Sequence, residues 1–284
     1  MPVTIPEIQA MKTRGEPIAM LTAYDATTAR LLDEVGIPIL LVGDSLGMVV
    51  LGYADTTAVT MEDMLHHTKA VVRGRRRALV VADMPFLSST VSAERALENA
   101  GRFIQEAGAH AVKVEGGETI APTIRRLLAA GVPVMGHVGL TPQHVLVQGG
   151  YRVQGRSAPA AEQVLRDALA VEAAGAFSVV LECIPTELAA LITEALEIPT
   201  IGIGAGPHCD GQVQVIHDLV GAIPDFTPRH AKRYVELAAM VRAAVDRYAE
   251  EVRTRLFPEP AHGTSMDEAI VQTLRERLGS LRAG

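Results

Sequence analysis

The sequence predicts one (β/α)8 barrel followed by extra C-terminal helices. Short apolar runs rich in β-branched residues recur along the chain, and segments with helical apolar spacing lie between most of them. This alternation is typical of βαβ units, and eight strands over about 210 residues fit the size of such a barrel. A doubly wound open sheet is the alternative, but its first strand normally leads into a glycine-rich turn. Here the first strand ends in Thr22-Ala23-Tyr24-Asp25.

The individual elements are predicted from burial patterns and from helix-stop residues. The apolar runs lack polar alternation, which indicates strands buried on both faces. They span residues 18–23, 39–42, 78–82, 111–114, 132–136, 178–181, 200–203 and 213–216. The helices between them are predicted at residues 26–35, 61–73, 93–107, 120–130, 160–174 and 186–196. Glycine or proline commonly closes a helix or opens the next strand, as at Gly36, Gly131 and Pro199.

Two parts of the chain lie outside this alternation. Residues 139–158 form a long loop rich in glycine and glutamine after the fifth strand, and long loops in compact domains are often functional. Residues 228–257 carry a continuous apolar stripe and are predicted as one long helix that completes a barrel domain of residues 1–262. Residues 263–284 are predicted as an extension that contains a short helix at 266–278.

The composition narrows the class of protein. The net charge of −7 argues against general nucleic-acid binding, which needs a basic face. No apolar run approaches the roughly 20 residues of a membrane helix, and no signal peptide is recognisable before Lys12. Cys183 and Cys209 cannot form a disulfide framework. We therefore expect a globular cytoplasmic protein with reduced thiols.

Ionisable residues stand at the ends of five successive predicted strands. They are Asp44, Asp83, Lys113 with Glu115, His137, and Glu182. Barrel active sites are built at the carboxyl ends of strands, and a charge beside a buried run is costly unless it is paired or metal-bound. A lone Asp there more often caps a helix, and a lone His is more often a satisfied core group, but the clustering favours a catalytic site. Period two places Lys113 and Glu115 on the same side of the fourth strand.

The residue types favour metal-assisted enolate chemistry. Asp44, Asp83 and Glu115 offer three hard oxygen donors and no sulfur, which favours Mg²⁺ or a similar ion. Such an ion polarises a carbonyl and stabilises an enolate, and Glu182 is then free to act as a base. Lys113 is one of four lysines in the chain and could neutralise a substrate carboxylate or an enolate. A Schiff-base role for Lys113 is the alternative, because buried lysines lose their proton readily.

Two further patterns have both a structural and a functional interpretation. Gly202, Gly204 and Gly206 could hold a phosphate, as loops after strands seven and eight often do in barrels, or they could serve tight packing. Ser45 has no His and Asp partners in sequence order that would make it a nucleophile. Its hydroxyl is therefore expected to cap a helix or to bind substrate.

Several motifs together resemble the ketopantoate hydroxymethyltransferase family. They follow the order found in that family and extend over most of the chain, from Val3 to His262. The motifs are VGDSLGM (42–48), KVEGG (113–117), GHVGLTPQ (136–143), GGYRVQGR (149–156) and IGIGAG (201–206). A set of long motifs in fixed order is far more specific than any one pattern.

The resemblance implies a barrel of the phosphoenolpyruvate mutase and isocitrate lyase group. It implies that α-ketoisovalerate reacts with 5,10-methylenetetrahydrofolate and water to give ketopantoate and tetrahydrofolate in pantothenate biosynthesis. One Mg²⁺ per subunit and a homodecamer of two pentameric rings are also implied. The matching residues are Asp44, Asp83 and Glu115 for the metal, Asp44, Ser45, Asp83 and Lys113 for the substrate, and Glu182 as the proton acceptor. His137 is a further candidate for binding the substrate carboxylate.

Two other functional classes remain open at this point. A C–C lyase or phosphoenolpyruvate mutase of the same barrel group would share the metal and enolate chemistry. Such an enzyme is expected to carry a reactive cysteine after the fourth or fifth strand, and residues 116–158 contain none. A non-catalytic barrel that binds a small acid would have lost at least one of the clustered ionisable groups, and none is missing. Fold alone does not distinguish these classes.

Overall fold

The computed structural model describes residues 1–282, and within them eight parallel strands close into a barrel. The strands pair in chain order and the eighth pairs with the first, so the predicted (β/α)8 fold is confirmed. The strands are β1 (Ile18–Thr22), β2 (Ile39–Val42), β3 (Leu79–Asp83), β4 (Ala111–Glu115), β5 (Val134–Gly139), β6 (Ser178–Glu182), β7 (Thr200–Ile203) and β8 (Gly211–Gln214). The second and seventh strands have the predicted bounds.

The strands are buried on both faces, as their unbroken apolar sequences predict. In β2, Ile39 and Leu41 belong to the apolar cluster inside the barrel, whereas the alternate residues of the strand pack against the surrounding helices. The same alternation in β4 places Ala111 in the interior cluster. It therefore directs Lys113 and Glu115 inward as well, on the side that the sequence predicts.

The amino-terminal end of the barrel is closed by α1 (Ile5–Thr13). Ile8 and Met11 of this helix are buried in the same apolar cluster as the inward side chains of the strands. The ionisable residues of the strands lie at the opposite, carboxyl end. The barrel interior is therefore filled with apolar side chains at its amino-terminal end and lined by ionisable side chains at its carboxyl end.

Helices connect the strands and surround the barrel. They are α2 (Ala26–Val35), α3 (Leu46–Val49), α4 (Met61–Gly74), α5 (Ala93–Gln105), α6 (Ala121–Ala129), α7 (Val145–Gln148), α8 (Ala158–Ala173), α9 (Thr186–Ala195), α10 (Ile216–Leu219), α11 (Leu237–Arg253) and α12 (Glu268–Leu281). Short 3-10 helices occupy Thr56–Ala58, Pro142–His144 and Pro260–His262. In the part of the chain that the structure describes, no helix has the length and apolar character needed to cross a bilayer.

The ends of α2 illustrate how local sequence sets the helix bounds. The Asp25 carboxylate accepts a hydrogen bond from the Thr28 backbone N–H at 2.8 Å, which caps the first turn. Gly36 ends the helix with a left-handed backbone (φ +96°), a conformation that glycine adopts without steric cost. The helix has the bounds that the sequence predicts.

The long loop after β5 is partly ordered into helical turns. The 3-10 helix Pro142–His144 and the single turn α7 lie within predicted loop residues 139–158, and α8 then begins at Ala158. Gly139 starts this segment with a left-handed backbone (φ +94°), and a Cβ there would lie 2.4 Å from the Glu182 carbonyl oxygen. Only glycine fits this close approach between the ends of β5 and β6.

The predicted helix at residues 228–257 is wrong at its amino-terminal end, because α11 begins only at Leu237. Residues 228–236 are not helical. The Arg233 side chain donates hydrogen bonds to carbonyl oxygens of the preceding segment, and the Tyr234 backbone N–H donates to the Leu219 carbonyl at 2.9 Å. These contacts hold the segment in an irregular path that the apolar stripe of the sequence does not reveal.

The chain forms two compact units, Met1–Val235 and Glu236–Gly284. The first contains the barrel, and the second contains α11 and α12. The sequence placed the division later, after residue 262. The helix α12 bears out the prediction of a further helix near residues 266–278, with bounds of Glu268–Leu281.

Asp33 provides a test of one long-range contact in the barrel. Its buried carboxylate accepts backbone N–H bonds from Arg76, Arg77 and Ala78 at 3.1, 2.8 and 2.6 Å, which fixes the approach to β3. Burial opposes ionisation, but these three donors and the Arg77 charge lower the pKa of Asp33 below its ordinary value. We expect Asp33→Asn to reduce the free energy of unfolding at pH 7 by about 1–3 kcal/mol, since a buried donor loses its charged acceptor.

The pH dependence of this loss follows from the lowered pKa. A carboxyl group whose folded pKa is depressed stabilises the protein above its unfolded pKa, about 3.9, and loses that effect as the pH falls through the folded pKa. The difference between wild type and variant in denaturant unfolding should therefore begin to shrink below about pH 4 and vanish only below the lowered folded pKa. Glu34→Gln, at the exposed neighbouring position, is the matched control and should behave as wild type at both pH values. A variant as stable as wild type at pH 7 would contradict the assignment.

Candidate active site

The carboxyl ends of the strands surround a cavity of about 910 Å³. All the site residues predicted from the sequence line it, namely Asp44, Ser45, Asp83, Lys113, Glu115, His137 and Glu182. Strand register explains this convergence, because Asp83 pairs with Lys113 across β3 and β4, and Glu115 pairs with His137 across β4 and β5. Side chains at paired positions point in the same direction from neighbouring strands.

Lys113 forms a buried ion pair with Asp83. Its Nζ lies 2.8 Å from Asp83 Oδ1, and both side chains are almost inaccessible to solvent. Burial alone would lower the pKa of Lys113, but the charges of Asp83, Glu115 and Asp44 raise it above its ordinary value. Lys113 therefore stays an ammonium group. This favours charge neutralisation over a Schiff-base role, which needs a neutral amine.

His137 lies between two carboxylates. Its Nδ1 is 3.4 Å from Glu115 Oε1, and its Nε2 is 3.2 Å from Glu182 Oε2. Burial and the Lys113 charge would lower the pKa of His137, but the nearby Glu115 and Glu182 carboxylates raise it to about 9. His137 thus lies between Glu115 and Glu182, and its Nδ1 is also 3.2 Å from Lys113 Nζ. Both ring nitrogens are directed at protein carboxylates, so this structure gives His137 a positioning role beside the predicted one in substrate binding.

Glu182 ends β6 at the edge of the buried cluster. Its side chain is 16% exposed, which makes it the most accessible carboxylate of the set. Cys183 follows with a left-handed backbone (φ +48°), and its N–H donates to the Ile203 carbonyl at 2.8 Å while its carbonyl accepts from Gln154 at 2.9 Å. Strained backbone of this kind persists where the surrounding structure holds it. Glu182 is therefore held firmly at the cavity wall.

Gln143 belongs to the site, although sequence reasoning did not single it out. Its Nε2 donates to Asp44 Oδ2 at 2.8 Å and to the Met84 carbonyl at 2.9 Å, and its backbone N–H donates to Glu115 Oε2 at 3.0 Å. It thus joins the loop after β5 to the ends of β2 and β4. The only sequence signal was its place at the end of the GHVGLTPQ motif, since a loop residue shows no periodicity.

A hydrogen bond with Tyr24 positions the Ser45 side chain. The two hydroxyl oxygens lie 2.9 Å apart, and Tyr24 is fully enclosed at the end of β1. Ser45 begins the short helix α3, but its side chain makes no capping hydrogen bond. The capping interpretation is therefore wrong. Because Ser45 lines the cavity, its hydroxyl is available to a ligand.

The glycine-rich segment after β7 serves close packing. A Cβ on Gly206 would lie 2.5 Å from Thr186 Oγ1, and one on Gly202 would lie 2.9 Å from Cys209 Sγ. Gly204 and Gly206 also have left-handed backbones, with φ of +65° and +80°. The packing interpretation accounts for these residues without a phosphate.

The three predicted metal-binding acids have the properties expected beside a cation. Burial raises the pKa of Asp44 well above its ordinary value, and the charges of Asp83 and Glu115 raise it further. A divalent cation would relieve this repulsion, and carboxylate oxygens are the ligands Mg²⁺ prefers. Within residues 1–282, no three His, Cys, Asp or Glu side chains converge into a ready ligand group. A bound Mg²⁺ would therefore need waters or substrate oxygens to complete its coordination shell, as is usual for this ion. The site is compatible with a divalent metal.

The sequence profile described as ketopantoate hydroxymethyltransferase matches residues 2–260. The chain belongs to this family. A curated relative from Chloroflexus aurantiacus, named 3-methyl-2-oxobutanoate hydroxymethyltransferase, is 60% identical over 280 residues, which cover 99% of this chain and 98% of the relative. A relative of the same name from Dehalococcoides mccartyi is 54% identical over 280 residues, with 99% of both chains covered.

The fold of this family member is similar to that of barrel enzymes of known structure. Phosphonopyruvate hydrolase, in a complex with oxalate and Mg²⁺, matches with a TM-score of 0.60 at 16% identity and covers 100% of this chain and 99% of that chain. The lyase acting on 2,3-dimethylmalate, a member of the PEP mutase/isocitrate lyase superfamily, matches with a TM-score of 0.56 at 17% identity and covers all of both chains. These likenesses show the same barrel fold.

Proposed function

We propose that this chain is a 3-methyl-2-oxobutanoate hydroxymethyltransferase, which forms ketopantoate for pantothenate biosynthesis. In this reaction α-ketoisovalerate loses its C3 proton, and the carbon gains a hydroxymethyl group derived from 5,10-methylenetetrahydrofolate and water. The observation that carries the proposal is the convergence of one ammonium group and four carboxylates on a single cavity in a member of this family. Relatives that bear this name align over almost the whole chain.

Asp44, Asp83 and Glu115 are proposed to hold one Mg²⁺, directly or through water. When bound, the ion supplies electrophilic polarisation of the substrate keto group, which acidifies the neighbouring C3–H bond. The protein adds a second positive charge through the Lys113 ammonium group, which lies beside Asp83 and can neutralise the substrate carboxylate or the enolate. Ser45, held by Tyr24, offers a hydroxyl to the same ligand.

Glu182 is proposed to accept the C3 proton. It is the carboxylate with partial access to the cavity, whereas Asp44, Asp83 and Glu115 are almost fully buried. The His137 ring lies against it, with Nε2 3.2 Å from Glu182 Oε2. Water hydrolyses the two C–N bonds of the folate methylene group, which releases tetrahydrofolate and leaves the one-carbon unit as formaldehyde. The carbon nucleophile formed by proton removal attacks this carbon, and the resulting alkoxide takes back the proton held by Glu182 to give the hydroxymethyl group.

The decisive assay is formation of tetrahydrofolate and ketopantoate from α-ketoisovalerate, methylenetetrahydrofolate and Mg²⁺. We expect stoichiometric formation of both products, with none when the keto acid is left out. A rival C–C lyase would instead cleave a carbon–carbon bond of a larger acid without folate, and a non-catalytic barrel would form neither product. Absence of tetrahydrofolate under these conditions would refute the proposal.

The proposal includes a homo-oligomer in the cytoplasm. The helix α11 buries none of its own residues and leaves an apolar stripe exposed, which consists of Met240, Val241, Val245, Tyr248 and Val252. Exposed stripes of this kind mark protein interaction sites, and the family resemblance implies a decamer. Light scattering on micromolar protein should give a mass near ten times the chain mass of 30.2 kDa. A measured mass equal to that of one chain would contradict this part of the proposal.

The free thiols of Cys183 and Cys209 suit a reducing compartment.

A further inference from the structure

The cavity has a second wall that the proposed chemistry does not use. Asp44, Asp83, Lys113 and Glu115 lie at the ends of β2 to β4 and Glu182 at the end of β6, whereas a further wall follows β8 and the segment after it. Its lining includes Val215, Asp218, Ile223, Phe226, Arg229 and His230. A five-carbon keto acid bound beside Lys113 would leave this wall free. The cavity volume of about 910 Å³ lies near the upper end of the range for sites that enclose much larger ligands.

Asp218, in α10, is the buried polar residue of this wall, and it lacks a partner. It is 8% exposed and lines the cavity. The structure of residues 1–282 contains no hydrogen bond or ion pair to its carboxylate, which is approached only by the charges of His230 and Arg233. A buried carboxylate without hydrogen-bond donors is costly, and such groups commonly mark a place where a ligand supplies them.

The charge of Asp218 excludes one ligand and favours another. A keto acid is an anion, so a second carboxylate would repel it. The pterin ring of a folate presents an amino group at C2 and an N–H at N3, side by side on one edge. Two adjacent donors match the two oxygens of one carboxylate, and such paired, charge-assisted hydrogen bonds are strong.

The surroundings of Asp218 suit the rest of a folate molecule. Phe226 is largely exposed and offers an aromatic surface on which a ring can stack. Arg229 and His230 lie at the exposed rim, where the Arg229 guanidinium can meet a glutamate carboxylate of the folate tail. The group that would bind the pterin ring is thus buried, and the groups that would bind the charged tail lie at the surface.

We propose that Asp218 binds the 2-amino and N3–H edge of the pterin ring and so forms the folate subsite of this cavity. The inference rests on the proposed function and extends it to the co-substrate. It predicts that Asp218 contributes to folate binding and not to deprotonation of the keto acid.

The test compares Asp218→Asn with wild type in two assays. Asn keeps the shape but turns one acceptor oxygen into a donor, which opposes a donor on the ring. We expect the KM for methylenetetrahydrofolate and the Kd for tetrahydrofolate, measured by calorimetry, to rise roughly 10- to 100-fold, the usual worth of a hydrogen bond to a charged group. Folate-independent exchange of the α-ketoisovalerate C3 hydrogen with D₂O should keep its wild-type rate. Asp225→Asn, an exposed aspartate on the same segment outside the cavity, is the matched control.

A second experiment changes the ligand in place of the protein, so its result does not depend on whether the variant folds. Wild-type protein should bind a tetrahydrofolate analogue with a methyl group in place of the 2-amino group roughly 10- to 100-fold more weakly than tetrahydrofolate. Asp218→Asn should distinguish the two ligands far less. Equal affinity of wild type for both ligands, or loss of C3 hydrogen exchange in the folded variant, would overturn the inference. If wild type exchanges the hydrogen and makes ketopantoate while Asp218→Asn keeps its folate KM, only this subsite is refuted. If wild type forms no tetrahydrofolate, the proposed function fails instead.

Discussion

Glu182→Gln should slow removal of the C3 proton of α-ketoisovalerate by roughly 100- to 10,000-fold, the usual worth of a positioned base. The amide keeps the shape of the side chain but cannot accept a proton. Proton removal is measured without folate, because the protein with Mg²⁺ in D₂O should then exchange the C3 hydrogen. The exchange is visible by proton NMR as loss of coupling to the methyl groups of the substrate.

The controls for this experiment are set by the geometry of the site. Asp44, Asp83 and Glu115 are untouched in Glu182→Gln, so binding of Mg²⁺ and keto acid should survive. Glu187→Gln, an exposed glutamate at the start of α9, should exchange at the wild-type rate. If Glu182→Gln also exchanged at that rate, Glu182 would serve only to position water or neighbours. The base would then have to be sought elsewhere, first at His137.

Removal of the divalent cation should have a similarly large effect. Excess EDTA is expected to reduce both product formation and hydrogen exchange by about 1,000-fold or more, because a metal contributes several kcal/mol when it polarises a carbonyl. Added Mg²⁺ should restore both. Full activity in excess chelator would exclude the proposed metal role of the three carboxylates.

Two substitutions in the proposed metal site should both weaken metal binding but should change the thermal stability of the metal-free protein in opposite directions. Asp44→Asn removes a charge that burial and its acidic neighbours disfavour, so the metal-free protein should be equally or more stable to heat. Asp83→Asn breaks the buried ion pair with Lys113, which costs up to about 3–5 kcal/mol. Both should weaken Mg²⁺ binding by more than roughly 100-fold, since even substitutions around a ligand cost 10- to 100-fold. Calorimetric titration with Mg²⁺ that found wild-type affinity in either variant would remove that residue from the metal site.

The predictable part of the fold and site is the part that strand periodicity governs. Unbroken apolar runs located β2 and β7 to the residue, and period two placed Lys113 and Glu115 inside the barrel. Parallel strands in register bring their carboxyl ends to one mouth, so residues far apart in sequence were expected together. The folded chain brings all of them to the same cavity.

The residues that the sequence did not reveal owe their positions to tertiary contacts. Gln143 enters the site because a loop folds back over the strand ends, and no periodic signal marks such a residue. Asp218 looks like an ordinary residue of a short helix until its missing partners are seen. The segment before α11 has a helical apolar pattern, but Arg233 holds neighbouring carbonyls in a different path. For Gln143 and for the segment before α11, side-chain hydrogen bonds across the fold outweigh local preference.

The closed amino-terminal end of the barrel has a consequence for the kinetics of the proposed reaction. Since Ile8 and Met11 seal that end, both ligands must use the single mouth at the other. In the proposed arrangement, a keto acid beside the buried Lys113 lies deeper than a folate that reaches from Asp218 to the exposed Arg229. The molecule that lies deeper has to arrive first and depart last, so we expect a compulsory order of binding. Bound folate would then block the exit of the keto acid until it has reacted. Saturating folate should therefore slow the binding of the next keto acid.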